Sequence, residues 1–361
     1  MSEKMQALRA AMAQNSMDLA ALGPGPNMHW LLGFHPHADE RPCMLMVGPE
    51  KEAFLMPALN AEGSRESTNI AFFEWDDADG PADALEKTLA HVGAKDARNV
   101  VIDETMRADF ALSVLDALPG AKHHFTDTTV GPLRMKKSEA EFAELKMNAG
   151  IADKAMQAAF NAIRPGMREL EVADIIGKVF DDHGAKPLFR IVGTGRNGAF
   201  PHHHTGDTVI REGDAIVIDI GAQKGDFSSD ITRMVVVGES PEGYDDVHAV
   251  VEAAVQAALD ASRPGARARD VDQAARDVIT AAGYGPYFVH RTGHGMGIEP
   301  HEPPWVTSTS ETILEAGMVY SIEPGIYLPD RFGLRLEDIV FLREDGPEIL
   351  SELPRDAFRA G

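Results

Sequence analysis

Part of this chain is written twice, and that constrains its fold more than any other feature. Residues 162–189 align with 261–288 at a constant offset. Arg164-Pro165-Gly166 falls on Arg263-Pro264-Gly265, and Arg168, Val172, Val179, Gly184, Pro187 and Phe189 fall on Arg267, Val271, Val278, Gly283, Pro286 and Phe288. Chance would give about two identities in such a window, so the match reads as a duplication. The same offset lays Pro201-His202 on Pro300-His301. After a small insertion Gly213, Asp219 and Gly221 meet Gly317, Glu323 and Gly325, and after another Asp230 meets Glu337. A pseudo-two-fold relation between the copies would bring these four carboxylates to one axis.

The local context of each acid fits that picture. Asp219 sits in the run Ala215 to Ile220, which is apolar and β-branched like a buried strand. A carboxylate there is costly unless paired or metal-bound. Asp230 precedes a second strand-like run, Ile231 to Val237, and a turn at Lys224-Gly225-Asp226 would make the two runs antiparallel with both acids facing one cleft. Glu323 ends the apolar run Met318 to Ile322, Gly325 and Pro329 frame a turn, and Leu334 to Phe341 is expected as one return strand. Taken singly, Asp219 and Asp230 read as a strand end and a turn, and Glu337 as a partner of Arg335 on the same face. That account leaves Glu323 unexplained. His294 lies among three glycines in Gly293-His294-Gly295-Met296-Gly297, which permit close backbone approach. Neutral imidazole is a common metal ligand. Four carboxylates and one imidazole suit a pair of divalent ions, and two ions about 3.5–4 Å apart can hold a hydroxide between them for hydrolysis. A single imidazole among two carboxylate pairs implies that one ion takes it and the other does not.

His202 and His301 each follow a proline and are related by the repeat. They are candidates to flank a bound carbonyl, one polarising the oxyanion and one handling the leaving amine. His290 reads as an outer support or a packing residue, and His203 and His204 as a polar surface loop. Gly193 to Gly198 matches GxGxxG, but Ala199-Phe200-Pro201-His202 follows where a dinucleotide site needs a helix N-terminus. HExxH, GxSxG and P-loop patterns are absent.

The first 130 residues read as a separate α/β unit: helix from Met5 to Met12, strands at Leu19 to Leu22, Cys43 to Val47, Ala53 to Met56 and Val100 to Ile102, and helix from Ala82 to Val92. Gly131-Pro132 is expected to break the chain, and Ser138 with Glu141 to cap a long amphipathic helix that ends at Arg164-Pro165-Gly166. A formal net charge of -23 argues against nucleic acid and anionic membranes as partners. No stretch approaches the ~18 apolar residues of a membrane span, and the N-terminus has no signal-like apolar core. The single cysteine, Cys43, excludes an intrachain disulfide and fits a reducing cytoplasm. Its strand-like setting, away from every histidine cluster, argues against a nucleophile.

Taken in order, Asp219 in VIDIG, Asp230 in SSDITR, GHGMG, HEPP, IEPG and RLED resemble the M24 metallopeptidases, and most closely the Xaa-Pro dipeptidase (prolidase) and Xaa-Pro aminopeptidase branch. The resemblance covers roughly residues 135–361. Residues 27–34 resemble, more loosely, the creatinase-type N-domain. It implies an α+β protein: a C-terminal pita-bread domain at 132–361 with the internal pseudo-two-fold repeat, after a smaller α/β creatinase-type domain at 1–131. By the same resemblance Asp219, Asp230, His294, Glu323 and Glu337 would hold two divalent ions, manganese (Mn2+) first and cobalt or zinc as alternatives, with Asp230 and Glu337 bridging. Glu323 would shuttle protons, His301 would stabilise the tetrahedral intermediate, His202 would contact the residue after the scissile bond, and His290 and Arg335 would stand behind. A small peptide substrate and a homodimer, with the N-domain of one subunit shaping the partner's cleft, are implied too. Phe227 and Met234 depart from the family's usual Tyr and Thr, which bears on substrate more than on metal. Because the family includes enzymes acting on creatine, ectoine and dimethylsulfoniopropionate, the alternative activity is that of a hydrolase or lyase acting on a small non-peptide metabolite, such as an ectoine-hydrolase-like amidase.

Overall fold

Ser138 starts a 24-residue helix, Glu139–Ala162. Its Oγ accepts from the Glu141 amide while the Glu141 carboxylate accepts from the Ser138 amide at 2.8 Å, the expected capping box. Just upstream, the computed structural model, which describes residues 2–360, divides into two compact units between Arg134 and Met135. Gly131 and Pro132 do not break the chain. They lie inside a short helix, Val130–Met135. Pro132 falls in its first turn, where a helix has no use for the missing N–H.

The first unit is built on a six-stranded mixed sheet. Its order is Ala71–Trp75, Glu52–Pro57, Met44–Val47, Leu19–Leu22, Asn99–Ile102, Lys122–His124. Leu19–Leu22 is central and wholly buried, and Met44–Val47 pairs antiparallel with Glu52–Pro57 around the Gly48 turn. Helices Glu3–Gln14, Ala82–His91 and Ala108–Ala117 bury their apolar residues (Leu8, Leu85, Val114 among them). Cys43 is buried, and burial pushes its thiol up to about 12, so no thiolate is on offer there.

The second unit shows the repeat in its backbone. In the first half, helices Glu139–Ala162 and Glu169–Asp182 precede strands Lys186–Thr194, Ala215–Lys224 and Ile231–Val237. In the second, helices Tyr244–Ala261 and Ala268–Ala281 precede strands Gly293–Gly295, Val319–Ile322 and Asp338–Arg343. Gly166 and Gly265 both take positive φ (94° and 90°), as do Gly213 and Gly317 (84° and 90°), a region that favours glycine. Arg168 bridges Val209 just as Arg267 bridges Ile313. Each helix pair backs its own sheet: Ala155, Ile176, Ile218 and Val235 share one core, and Val251, Ala275, Tyr320 and Val340 another.

Leu334 to Phe341 is not one return strand. Phe332–Arg335 pairs with Gly325–Leu328 as a separate hairpin, and Asp338–Arg343 pairs with Val319–Ile322 in the larger sheet. Leu336 and Glu337 occupy the gap between them. Among the described residues, no helix is long and apolar enough to cross a membrane.

Candidate metal centre

A strand interior, a strand end and two gaps between strands set the four acids. Asp219 projects from within Ala215–Lys224, across from Thr232. Asp230 lies in the gap between the two-residue strand Phe227–Ser228 and Ile231–Val237, as Glu337 lies in the gap before Asp338. Glu323 is the first residue past Val319–Ile322, where its amide donates to the Thr292 carbonyl at 2.8 Å. His294 is the middle of Gly293–Gly295. Its neighbours must be glycine: a Cβ at Gly293 would meet the Ser321 carbonyl and one at Gly295 the Pro303 carbonyl.

These five side chains line one cavity of about 560 Å³, together with His202, His290, His301, Arg335, Arg291, Phe189, Ile191 and Pro201. Their donor atoms form overlapping triads, each within 4.8 Å: Asp219, Asp230 and Glu337; His294, Glu323 and Glu337; Asp230, His294 and His301. His294 Nε2 stands 3.2 Å from Glu323 Oε1 and 3.8 Å from Asp230 Oδ2. His301 therefore sits closer to the acids than the reading of it as a flanking residue required; its ring centroid is 4.0 Å from that of His294.

The electrostatics ask for positive charge. Burial, then Glu337, Asp219 and Glu323, push the Asp230 carboxyl well above its ordinary range. Burial and the same crowding do so for Glu337. Asp219 is raised by burial, with Arg335 pulling the other way. Glu323 is the exception. Burial opposes its charge, but the hydrogen bond and charge of His294, with His290 and Arg335, hold it at about 2. Asp219 Oδ1 is buried with no hydrogen-bond partner, an orphan that an interior does not tolerate without compensation. An orphaned carboxylate oxygen, crowded acids and an all-oxygen-and-imidazole donor set fit divalent cations.

A second layer holds the first. Arg335 Nη2 donates to Asp219 Oδ2 at 2.6 Å, Nη1 to Tyr327 Oη at 2.7 Å and Nε to Thr232 Oγ1 at 3.0 Å. Thr232 Oγ1 donates to Glu337 Oε2 at 2.7 Å. Arg335 thus bonds Asp219 in the other half directly and reaches Glu337 on its own segment only through Thr232. His290 Nε2 lies 2.8 Å from Tyr327 Oη and Nδ1 lies 2.7 Å from the Arg291 carbonyl, so it braces the hairpin. Thr232 and Tyr327 were not singled out from the sequence: a hydroxyl in an apolar strand carries no signal of its own.

His202 and His301 are exposed on the cavity wall. Partial desolvation at the cavity wall, aided by His294 and Arg291, lowers His301 to about 4, leaving it neutral with one N–H to donate at neutral pH. His204 is exposed as expected, but His203 is no plain surface residue. It pairs at 2.8 Å with the fully buried carboxylate of Glu169, which also accepts from the amides of Thr194 and Gly206. Glu169 thereby ties down the loop that carries His202. The Gly193–Gly198 glycines lead into a short 3-10 turn, Gly195–Ala199, and not an α-helix N-terminus.

Residues 143–344 match the model of metallopeptidase family M24, and residues 4–136 that of the creatinase/prolidase N-terminal domain. The chain is 33% identical to an Xaa-Pro dipeptidase of Pyrococcus horikoshii over 358 residues, 99% of each chain. The crystal structure of dipeptidase PepE from Mycobacterium ulcerans superposes with a TM-score of 0.94 at 33% identity, covering 99% of this chain and 97% of that one. That of an X-Pro aminopeptidase from Thermotoga maritima does so with a TM-score of 0.79 at 29% identity, covering 97% and 100%.

Proposed function

Because the chain belongs to metallopeptidase family M24, with the pita-bread fold behind a creatinase-type N-terminal domain, we propose that it hydrolyses the bond before proline in short Xaa-Pro peptides. The observation that carries this reading is the gathering of Asp219, Asp230, His294, Glu323 and Glu337 in a cavity that also presents His202 and His301. Its volume of about 560 Å³ is of a size for a peptide of a few residues. M24 peptidases use divalent metals, and manganese is our choice for the pair of ions. Asp219, Asp230 and Glu337 would hold one ion, and His294 and Glu323 with Asp230 and Glu337 the other.

Divalent ions bound there supply Lewis acidity to the scissile carbonyl and lower the pKa of water. The protein's own groups do the rest. Glu323, whose carboxylate lies 3.2 Å from His294 Nε2, takes a proton from the attacking water and passes it to the departing proline nitrogen. His301, neutral and able to donate, hydrogen-bonds the oxygen on which negative charge develops. His202, on the loop fixed by Glu169 and His203, contacts the residue after the bond. Arg335 and Thr232 keep Asp219 and Glu337 in place throughout.

A peptide-length series tests this: Ala-Pro against Ala-Pro-Ala and longer peptides, and against small cyclic and N-substituted amides, on manganese-loaded protein. Turnover confined to the amides would replace the peptidase reading, and turnover that rises with peptide length would assign an aminopeptidase mode.

A further inference from the structure

The strand that carries His294 ends at Gly295, so it has no need of the third glycine in Gly293-His294-Gly295-Met296-Gly297. A Cβ at Gly297 would meet Glu302 Oε1 at 2.6 Å and Lys137 Cε at 3.0 Å. The missing side chain makes room for an ion pair. Lys137 Nζ donates to Glu302 Oε1 at 2.7 Å, and both side chains are only 2% exposed. The two residues are 165 positions apart, and neither lines the cavity of the metal centre.

A buried ion pair is seldom a net gain over well-packed apolar side chains of similar volume. Its place in the fold points to another use. Glu302 opens the strand Glu302–Val306, and its backbone pairs with Gly295 across a shift in register. That pairing closes the loop 296–301, whose last residue is His301. Glu302 holds the loop a second time through Oε2, which accepts from the Glu299 amide at 3.4 Å. Lys137 is anchored in turn. Its amide donates to the Gly317 carbonyl at 2.8 Å, and its Nζ donates also to the Met135 carbonyl at 3.3 Å. The His301 imidazole, by contrast, forms no hydrogen bond with any described residue, and its ring contact is with His294, 4.0 Å away between centroids. His301 is therefore placed by the backbone that carries it, and that backbone is held by Glu302.

We propose that Lys137 and Glu302 are positioning residues for hydrolysis: the pair fixes His301 where it meets the developing oxyanion. This rests on the peptidase reading above and on the role it gives to His301.

Ala-Pro hydrolysis by manganese-loaded protein tests the pair. Glu302→Gln is expected to lower kcat about tenfold to a hundredfold, the scale of a misplaced catalytic group, with KM changed less than about twofold. Lys137→Met/Glu302→Leu removes both charges at once. It is expected to melt close to wild type, since neither charge is left buried alone, and still to carry the loss in kcat. In a His301→Ala background Glu302→Gln is expected to cost less than about twofold more, because the group it positions is gone. Wild-type kcat in the charge-free double variant overturns the proposal, as does a loss that falls on KM alone. So does a Glu302→Gln effect of full size in the His301→Ala background. If His301→Ala itself turns over at the wild-type rate, the role given to His301 has failed and the proposal falls with it. If wild type cleaves no peptide, the peptidase reading has failed. A crystal structure of Lys137→Met/Glu302→Leu then tests the positioning alone: a His301 ring displaced from His294 supports it, and an unchanged loop 296–301 refutes it.

Discussion

In the first half of the repeat the acidic strand runs on past its carboxylate, and in the second half it stops one residue short. Asp219 is gripped by ladder pairs on both sides, with Thr232 and Ile191, and by Arg335. Glu323 extends from a strand end on a longer side chain and reaches His294. The hairpin Gly325–Arg335, longer than the short one at 223–228 in the first half, supplies Tyr327 and Arg335, and both serve the pair. Duplication explains the four acids; the differences between the copies divide the labour. On the proposed mechanism the acid held inside its strand is a fixed anchor and the acid at a strand end is the group that moves protons.

Glu323→Gln against Asp219→Asn probes that division most severely. Glu323→Gln should lower kcat by about a thousandfold or more, the upper range for losing a general acid–base. Asp219→Asn keeps an oxygen donor and should cost less in kcat, its main effect falling on metal affinity. Equal losses, measured in saturating manganese, would mean that the halves are equivalent. Next comes Arg335→Met, which leaves Asp219 buried without its partner and should cost about 3–5 kcal/mol in denaturant unfolding. A cost below about 1 kcal/mol would show that the second half does not support the first. Tyr327→Phe removes bonds to His290 and Arg335 and should cost about 1–3 kcal/mol.

Proton linkage gives a subtler contrast. In metal-free protein Asp230 and Glu337 have folded values above their ordinary 3.8 and 4.5. Protonation therefore favours the fold, and their stabilising contribution is present in acid and lost as pH rises through the raised values. Glu323 has the opposite sign: held at about 2, its contribution is present above 4.5 and lost only as pH falls toward 2. Between pH 5 and 8 Glu323 does not titrate, and three raised carboxyls, Asp230, Glu337 and Asp219, outnumber the two histidines, His290 and His301, whose lowered values pull the other way, so chelated protein should melt higher at about pH 5 than at about pH 8, and manganese should reverse the order because protons compete with the ion. A chelated melting point that rises with pH would contradict the crowding of Asp230 and Glu337. Smallest is Ser138→Ala, expected to cost about 1 kcal/mol. The second half's equivalent helix, Tyr244–Ala261, begins at Gly243 with no side-chain cap to lose.

Much of this was legible in the chain itself. The repeat aligned Asp219 with Glu323 and Asp230 with Glu337, and the capping box announced the helix at Ser138. What escaped notice was long-range or locally silent. Nothing in Leu334 to Phe341 says that its ends join different sheets, because a short apolar run looks the same in either. Arg335 lies two residues from Glu337 and 116 from Asp219, yet it bonds Asp219. Only the fold brings that distant acid closer. His203 sits in a run of three histidines, and its partner Glu169 lies in a helix that a local reading treats as solvent-facing at its start. Pro132 reads as a breaker because sequence does not tell a helix's first turn from its interior.

The central claim is that each half contributes one carboxylate pair to a shared two-ion centre. Calorimetric titration of manganese into chelator-treated protein tests it directly, with wild type and Glu337→Gln side by side. Wild type should take up two ions per chain, and Glu337→Gln, lacking a bridge, one or none at the same concentrations. Fewer than two ions in wild type, or two equally tight ions in Glu337→Gln, would contradict it.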